Sequence, residues 1–389
     1  MSRRLYAALL VVVVAIGGGW ALLHEELSRL VAVNTLFDPD RIVDNFSNMD
    51  ALFHSVPMPA PVHVPSPLPR APVRTAMPAG FATWVATRNV TSVVILHRGA
   101  VAFEEYYLGT RPDDLRVSWS LGKSFLATLF GVSVTNGEIA SVDDPVTYYA
   151  PDLIGSAYDG ATIRNVLDMA SGVDFDEDYG DFWSDINKMG RVIALGGSLD
   201  DFTAAIDTRR ADPGSAFHYV SMDTHALAMV LRGATGRRIP ELMNDRLFAP
   251  MRLEADPYFL TDGAGNAFVL GGLNLTTRDY ARFGQLVLDG GRVGGRVGGT
   301  QVVPEAWIDE MLAASGPQGR GSGYGYQWWI PRDARPGEVF ARGVYGQYIW
   351  IDRSADVVIA ITAADTGYGG RGVHRTNLEM MRSVVEELR

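Results

Sequence analysis

Apolar residues fall into several distinct rhythms along the chain, and each rhythm predicts a different element. Leu5 to Leu23 is an uncharged run of 19 residues, mostly Leu, Val, Ala, Ile and Gly. That length matches a bilayer-spanning helix and exceeds a usual signal-peptide core. Arg3 and Arg4 precede the run, Glu25 and Glu26 follow it, and no A-x-A cleavage site closes it. The positive-inside rule then predicts a single-pass anchor in the cytoplasmic membrane, with the body on the outer, periplasmic side. Residues 1–23 are thus expected to be a membrane anchor or a signal segment, and residues 24–79 a linker. Within that linker, eight prolines between Pro57 and Pro78 favour an extended path, either a stalk or a strap on the domain surface.

From Gly80 onward the pattern is that of a globular domain, residues 80–389. Val93 to Phe103 reads as two strands around the Arg98-Gly99 turn. Leu121 to Val134 is apolar on all sides, the mark of a buried helix. Helical segments are expected at Ile163 to Met169, Asp201 to Ile206 and Met222 to Leu231, among long polar loops. Gly290 to Gly299 predicts a loop or tight hairpin. Strands return at Tyr324 to Ile330, Val344 to Asp352 and Val357 to Thr362. A last helix, Asn377 to Leu388, carries Leu378, Met381, Val384, Val385 and Leu388 on one stripe. Strands at both ends with helices between predict an α/β fold, one sheet built from both ends of the domain with a mainly helical insertion.

Composition narrows the chemistry. The 389 residues are 47% hydrophobic and 20% charged, with a formal charge of −11, which argues against a nucleic-acid partner. There is no cysteine, so disulfides, thiol catalysis and cysteine–zinc sites are excluded. The seven histidines show neither His-x-His nor His-Glu-x-x-His spacing, and no metal site or cofactor is expected. Ser118 stands where the nucleophile elbow of an α/β-hydrolase would place glycine.

The chain holds 32 arginines but only two lysines, Lys123 and Lys188. One of these lies in Ser120-Leu121-Gly122-Lys123, at the start of the buried helix. Arginine keeps its proton in a protein, whereas a buried lysine can lose it and act as a base. Residues three apart share a helix face, so the Lys123 amine can reach the Ser120 hydroxyl and generate a nucleophile. The positive helix end also favours a developing oxyanion. Two further stretches join this pair. Tyr219, in His218-Tyr219-Val220-Ser221, precedes an amphipathic helix and carries a phenol able to pass a proton. Gly343-Val344-Tyr345-Gly346-Gln347 leads into a strand, where glycine lets backbone approach a ligand closely.

Together Ser120-x-x-Lys123, Tyr219-x-Ser221 and the Gly346 strand motif resemble the serine beta-lactamase and penicillin-binding-protein superfamily. Within it the chain is most similar to the class C-like branch of esterases and 6-aminohexanoate-dimer (nylon oligomer) hydrolases. Thr162 to Gly172 and Gly271 to Gly284 resemble helices of that branch, and Asn45 to Phe53 is similar to its opening segment. The resemblance implies an antiparallel sheet flanked by helices and a serine hydrolase acting through an acyl-enzyme on esters or small amides. It further implies Ser120 as nucleophile, Lys123 as proton acceptor and Tyr219 as proton shuttle. The backbone N–H groups of Ser120 and Gln347 would form the oxyanion hole. Tyr179, Ser221, Tyr345 and Gly346 would contact substrate. Two positions depart from the beta-lactamase pattern: Ser221 stands in place of Asn, and Val344 in place of the cation or His that opens the third motif. A carboxylate-bearing substrate would lose its anchor there, which disfavours beta-lactams and the D,D-peptidase alternative. The remaining alternative is a catalytically silent, anchored binding protein.

Overall fold

A computed structural model describes residues 24–59, 66–319 and 321–389. The main sheet has seven strands, which in chain order are β1 (Val90–His97), β2 (Ala100–Tyr106), β3 (Gly323–Gly325), β4 (Trp328–Ile330), β5 (Glu338–Gly343), β6 (Gln347–Asp352) and β7 (Val357–Ala363). They lie side by side as β2-β1-β7-β6-β5-β4-β3, every neighbouring pair antiparallel. The β1–β7 pairing, Val357 opposite His97 through Ile361 opposite Val93, joins the two ends of the domain. At the β1–β2 turn Arg98 (φ 52°) and Gly99 (φ 76°) are both left-handed, the conformation that suits a tight hairpin.

Both faces of the sheet are buried, so its strands are almost continuously apolar. Side chains alternate between two cores with the two-residue period of a strand. Val94, Leu96, Ile349, Ile351 and Val358 face the large core, which includes Phe125 of the helix Leu121–Thr135 and Phe283 of the helix Thr277–Leu288. Val93, Ile95, Trp350 and Ile359 face a smaller one with Trp84, Leu378, Met381 and Val385. Gly284 lets the Thr277–Leu288 helix lie close on the sheet: a Cβ there would stand 2.5 Å from Val358 Cγ1 and 2.9 Å from Ile349 Cγ2.

A second, four-stranded sheet fixes the entrance to the Leu121–Thr135 helix. Its strands are Ser55–Pro57, Tyr258–Leu260, Leu273–Leu275 and Arg116–Val117, in that spatial order. Ser118 N–H donates to Leu273 O (2.7 Å) and Val117 N–H to Phe46 O (3.1 Å). The buried Arg116 guanidinium donates to Val43 O (2.7 Å) and Ser47 Oγ (2.6 Å). Residues 43–47 are therefore stitched onto the segment leading to Ser120. A helix over residues 24–35 precedes them, and Leu36, Ile42, Phe46, Met49 and Phe53 enter the large core. Further on, Ala71 N–H donates to Val101 O and Thr75 N–H to Ala102 O, so this part of the Pro-rich stretch lies along β2.

Several expectations are corrected. Among the described residues no helix is long and apolar enough to cross a membrane, and Leu5 to Leu23 lies outside them. The membrane anchor, the membrane as a partner and the outer-side location are therefore not carried forward. Tyr324 to Ile330 is not one strand but the β3–β4 hairpin, which turns at Gln327 (φ 60°). Residues 344–346 form a single 3₁₀ turn, and the strand begins at Gln347. The strand β5 was not anticipated because Glu338 and Arg342 interrupt its apolar pattern. Glu338 is nonetheless buried, its carboxylate paired with Arg382 (2.7 Å). The last helix starts earlier than expected, at Val373 after Gly372 (φ 82°).

Candidate active site

The nucleophile candidate is held by a strained entry. Trp119 has a left-handed backbone (φ 44°), a conformation that costs a non-glycine residue on the order of 1 kcal/mol or more. Its ring packs against Phe46 (5.5 Å between centroids), Phe37 (5.9 Å) and Tyr345 (5.9 Å). Gly343 approaches from β5 so closely that a Cβ would meet Ser118 O at 2.8 Å and Trp119 Cβ at 3.1 Å. Ser120 then opens the Leu121–Thr135 helix.

Lys123 is buried, 1% exposed, and its Nζ stands 3.0 Å from Ser120 Oγ and 2.9 Å from Leu270 O. Burial pulls the amine down to about 8, while the Glu177 and Asp223 carboxylates act in the opposite direction. Half-buried Tyr219 shares the site. Its ring stacks on Trp329 (5.5 Å, 23°) and lies 5.4 Å from the Lys123 amine. Burial pushes the phenol up and the Glu177 charge adds to this, so the group holds its proton.

Ser221 begins the helix Ser221–Thr235, and both its N–H (2.5 Å) and its hydroxyl (3.1 Å) donate to Glu177. The Tyr179 hydroxyl reaches the same carboxylate at 3.4 Å. Burial pushes the Glu177 carboxyl up, and Lys123 draws it back. Deeper still, Asp223 Oδ1 accepts from Ser171 Oγ (2.8 Å) and Tyr158 OH (3.0 Å), while its Oδ2 has no partner among the described residues. Burial pushes this carboxyl well up, towards its neutral form.

The third motif divides. Val344 and Tyr345 line the same cavity as Ser120, and Tyr345 (φ 61°) stacks on Phe37 (4.6 Å, 18°). Gly346 and Gln347 are directed elsewhere. A Cβ on Gly346 would lie 3.0 Å from Ala363 Cβ. The Gln347 amide donates to Ala363 O (2.8 Å) and Val344 O (3.2 Å) and accepts from Ala363 N–H (3.1 Å), bracing the turn against β7. The structure thus brings Ser120, Lys123, Tyr219, Ser221, Tyr179 and Tyr345 together, while Gly346 and the Gln347 side chain pack towards β7.

That cavity measures about 370 Å³ and is mainly apolar, with Phe37, Met49, Phe53, Ile186, Met189 and Phe268 in its walls. A larger cleft of about 710 Å³, between Ser66–Pro69 and Arg296, contains none of the candidate residues. Among the described residues no three His, Asp or Glu side chains group as metal ligands would.

Sequence reasoning missed Glu177, Asp223 and Arg342. Glu177 is the one glutamate among five aspartates between Asp174 and Asp185, and nothing in that run marks it as buried. Arg342 is a cation beside the site where the motif at Val344 offered none. It lies over the Trp329 ring (4.9 Å). Only recognition of β5 as the strand beside Ser120 would have found it.

Comparison with known proteins agrees with this architecture. The Beta-lactamase family matches residues 85–379. A 6-aminohexanoate-dimer hydrolase from Paenarthrobacter ureafaciens is 35% identical over 289 residues, 69% of this chain and 71% of that protein. Among solved structures, a Bacillus anthracis protein provisionally named a 6-aminohexanoate-dimer hydrolase superposes with a TM-score of 0.77 at 21% identity, covering 91% of this chain and 96% of that one. A penicillin-binding protein from Bacillus halodurans gives 0.60 at 16% identity, over 77% of this chain and 99% of that one, and shares the fold. By sequence and architecture, the chain belongs to the beta-lactamase family.

Proposed function

We propose that this protein is a serine hydrolase that cleaves esters or small amides through an acyl-enzyme on Ser120. The observation that carries the reading is the Lys123 amine, buried, 3.0 Å from Ser120 Oγ and pulled down to about 8. Neutral Lys123 takes the hydroxyl proton as Oγ attacks the substrate carbonyl carbon. The tetrahedral oxyanion is received by the N–H groups of Ser120 and Val344. Val344 replaces Gln347 in this role because it lines the cavity with Ser120 and follows Gly343, which packs on Ser118 and Trp119. Tyr219 relays the proton to the departing alcohol or amine, Lys123 restoring it. Water then attacks the acyl-enzyme by the same route in reverse, releasing the acid and free Ser120.

Intact mass after treatment with a fluorophosphonate and with an activated acyl ester tests the reading. One adduct on the wild type and none on Ser120→Ala is the expected result. An unlabelled wild-type chain, or an adduct that survives in Ser120→Ala, would remove Ser120 as nucleophile and favour a silent binding protein.

A further inference from the structure

We propose that the cavity beside Ser120 selects substrates carrying an uncharged apolar chain, and that residues 33–53 supply part of that selectivity. The inference rests on the serine hydrolase reading and goes beyond it by naming the substrate class.

Four separate segments build the apolar wall. Leu36 and Phe37 come from the end of the N-terminal helix and its following turn, Met49 and Phe53 from the next segment, Ile186 and Met189 from the helix Asp185–Ala194, and Phe268 and Leu270 from the loop before Leu273. The first four precede the residues matched by the family, 85–379. Phe37 is fixed on the Ser120 side by its stack with Tyr345 (4.6 Å) and its contact with Trp119.

The polar side chains that reach this wall away from Ser120 already have partners. The Arg191 guanidinium covers the Phe182 ring (4.1 Å) and lies 5.8 Å from the Trp183 ring. The Asn187 amide donates to Asp181 O (2.7 Å) and Tyr179 O (3.2 Å), and the Asn34 amide to Leu30 O (2.7 Å). No aspartate or glutamate is among the residues lining the cavity. An ammonium at the far end of a substrate chain would lose its water and find no counter-charge, an unfavourable exchange. A methyl end loses nothing and gains apolar contact.

The chain can sit on the acyl side or the alcohol side of the scissile bond, and two series separate these. One holds p-nitrophenol constant and lengthens the acyl group from acetyl to dodecanoyl. The other holds acetate constant and lengthens the alcohol. In one series kcat/KM should rise about four-fold per methylene, the value of burying one CH₂, and then level off when the cavity is full. An 8-amino-octanoyl ester should lose at least ten-fold against octanoyl. Gly190 offers an independent test, because it lines the cavity and a Cβ there meets nothing within 4 Å. Gly190→Leu suits its helix and should lower the ratio of octanoyl to acetyl kcat/KM about ten-fold, or the matching ratio in the alcohol series. Phe37→Ala should lower it as well.

Flat responses in both series, with Ser120 still acylated, would overturn the proposal while sparing the hydrolase reading. Equal rates for octanoyl and 8-amino-octanoyl would do the same. If no ester acylates Ser120, the hydrolase reading fails and this inference goes with it.

Discussion

Ser120 stands between two walls of opposite chemistry. One holds Lys123, Ser221, Glu177 and Asp223, with hydrogen bonds of 2.5–3.1 Å among themselves and to neighbouring side chains and backbone, and Tyr219, whose ring lies 5.4 Å from the Lys123 amine. The other is built mainly from Phe37, Met49, Phe53, Ile186, Met189 and Phe268. Lys123, Tyr219, Glu177 and Asp223 each have their protonation shifted by burial, and the polar groups constrain one another, because a buried polar atom without a partner is costly. The apolar wall needs only volume and shape, so its residues can come from anywhere in the chain. Changes on the polar side should therefore damage chemistry sharply, while changes on the apolar side should redirect specificity.

The largest effect is expected at Lys123. Lys123→Arg keeps the charge and nearly the length, yet arginine cannot accept the Ser120 proton. Acylation should fall by about a thousand-fold or more, at the upper end of what one general base supplies. Single-turnover acylation kinetics, with circular dichroism to confirm folding, provide the measurement. A variant within ten-fold of wild type would leave the buried amine a structural role only.

Next comes Tyr219. Tyr219→Phe keeps the stack on Trp329 and removes only the hydroxyl. The expected loss in kcat is about a hundred-fold, with KM within about two-fold, the signature of an interaction made in the transition state. A rise in KM at constant kcat would make Tyr219 a wall of the substrate cleft instead.

The contrast between the walls also explains what the sequence disclosed. Ser120 and Lys123 are legible because the chemistry needs one helix turn between them, and a helix makes that spacing local. The interior strands β1, β6 and β7 are legible because burial on both faces leaves them largely apolar. The strand β5 escaped because Glu338 is neutralised by Arg382, which lies far along the chain and cannot be seen in a local window. Recognising β5 shifts the third motif by a few residues, and this is why the proposed mechanism assigns the second oxyanion N–H to Val344 and not to Gln347. The apolar wall escaped more completely. Phe37 and Met189 meet only through the tertiary fold, and neither differs in its local pattern from an ordinary core residue.

The smallest effect is the sharpest probe of how the polar wall works. The Glu177 carboxylate raises the Lys123 pKa, opposing the burial that lowers it to about 8. The active form of Lys123 is the neutral amine, so kcat/KM should rise with pH through about 8 and then level off. Glu177→Gln removes the opposing charge while keeping an acceptor for the Ser221 N–H. The Lys123 pKa then falls further, and the acid limb of the pH profile should move to lower pH, by roughly half a unit to one unit. At pH 7 such a variant would gain activity relative to its own plateau, although the plateau itself can drop if Ser221 loosens. A purely structural role for Glu177 would lower the plateau and leave the limb where it was. The limb moves only if Glu177 is ionised while Lys123 titrates, so one pH profile also reports the charge on a carboxyl that burial pushes up and the neighbouring amine pulls down.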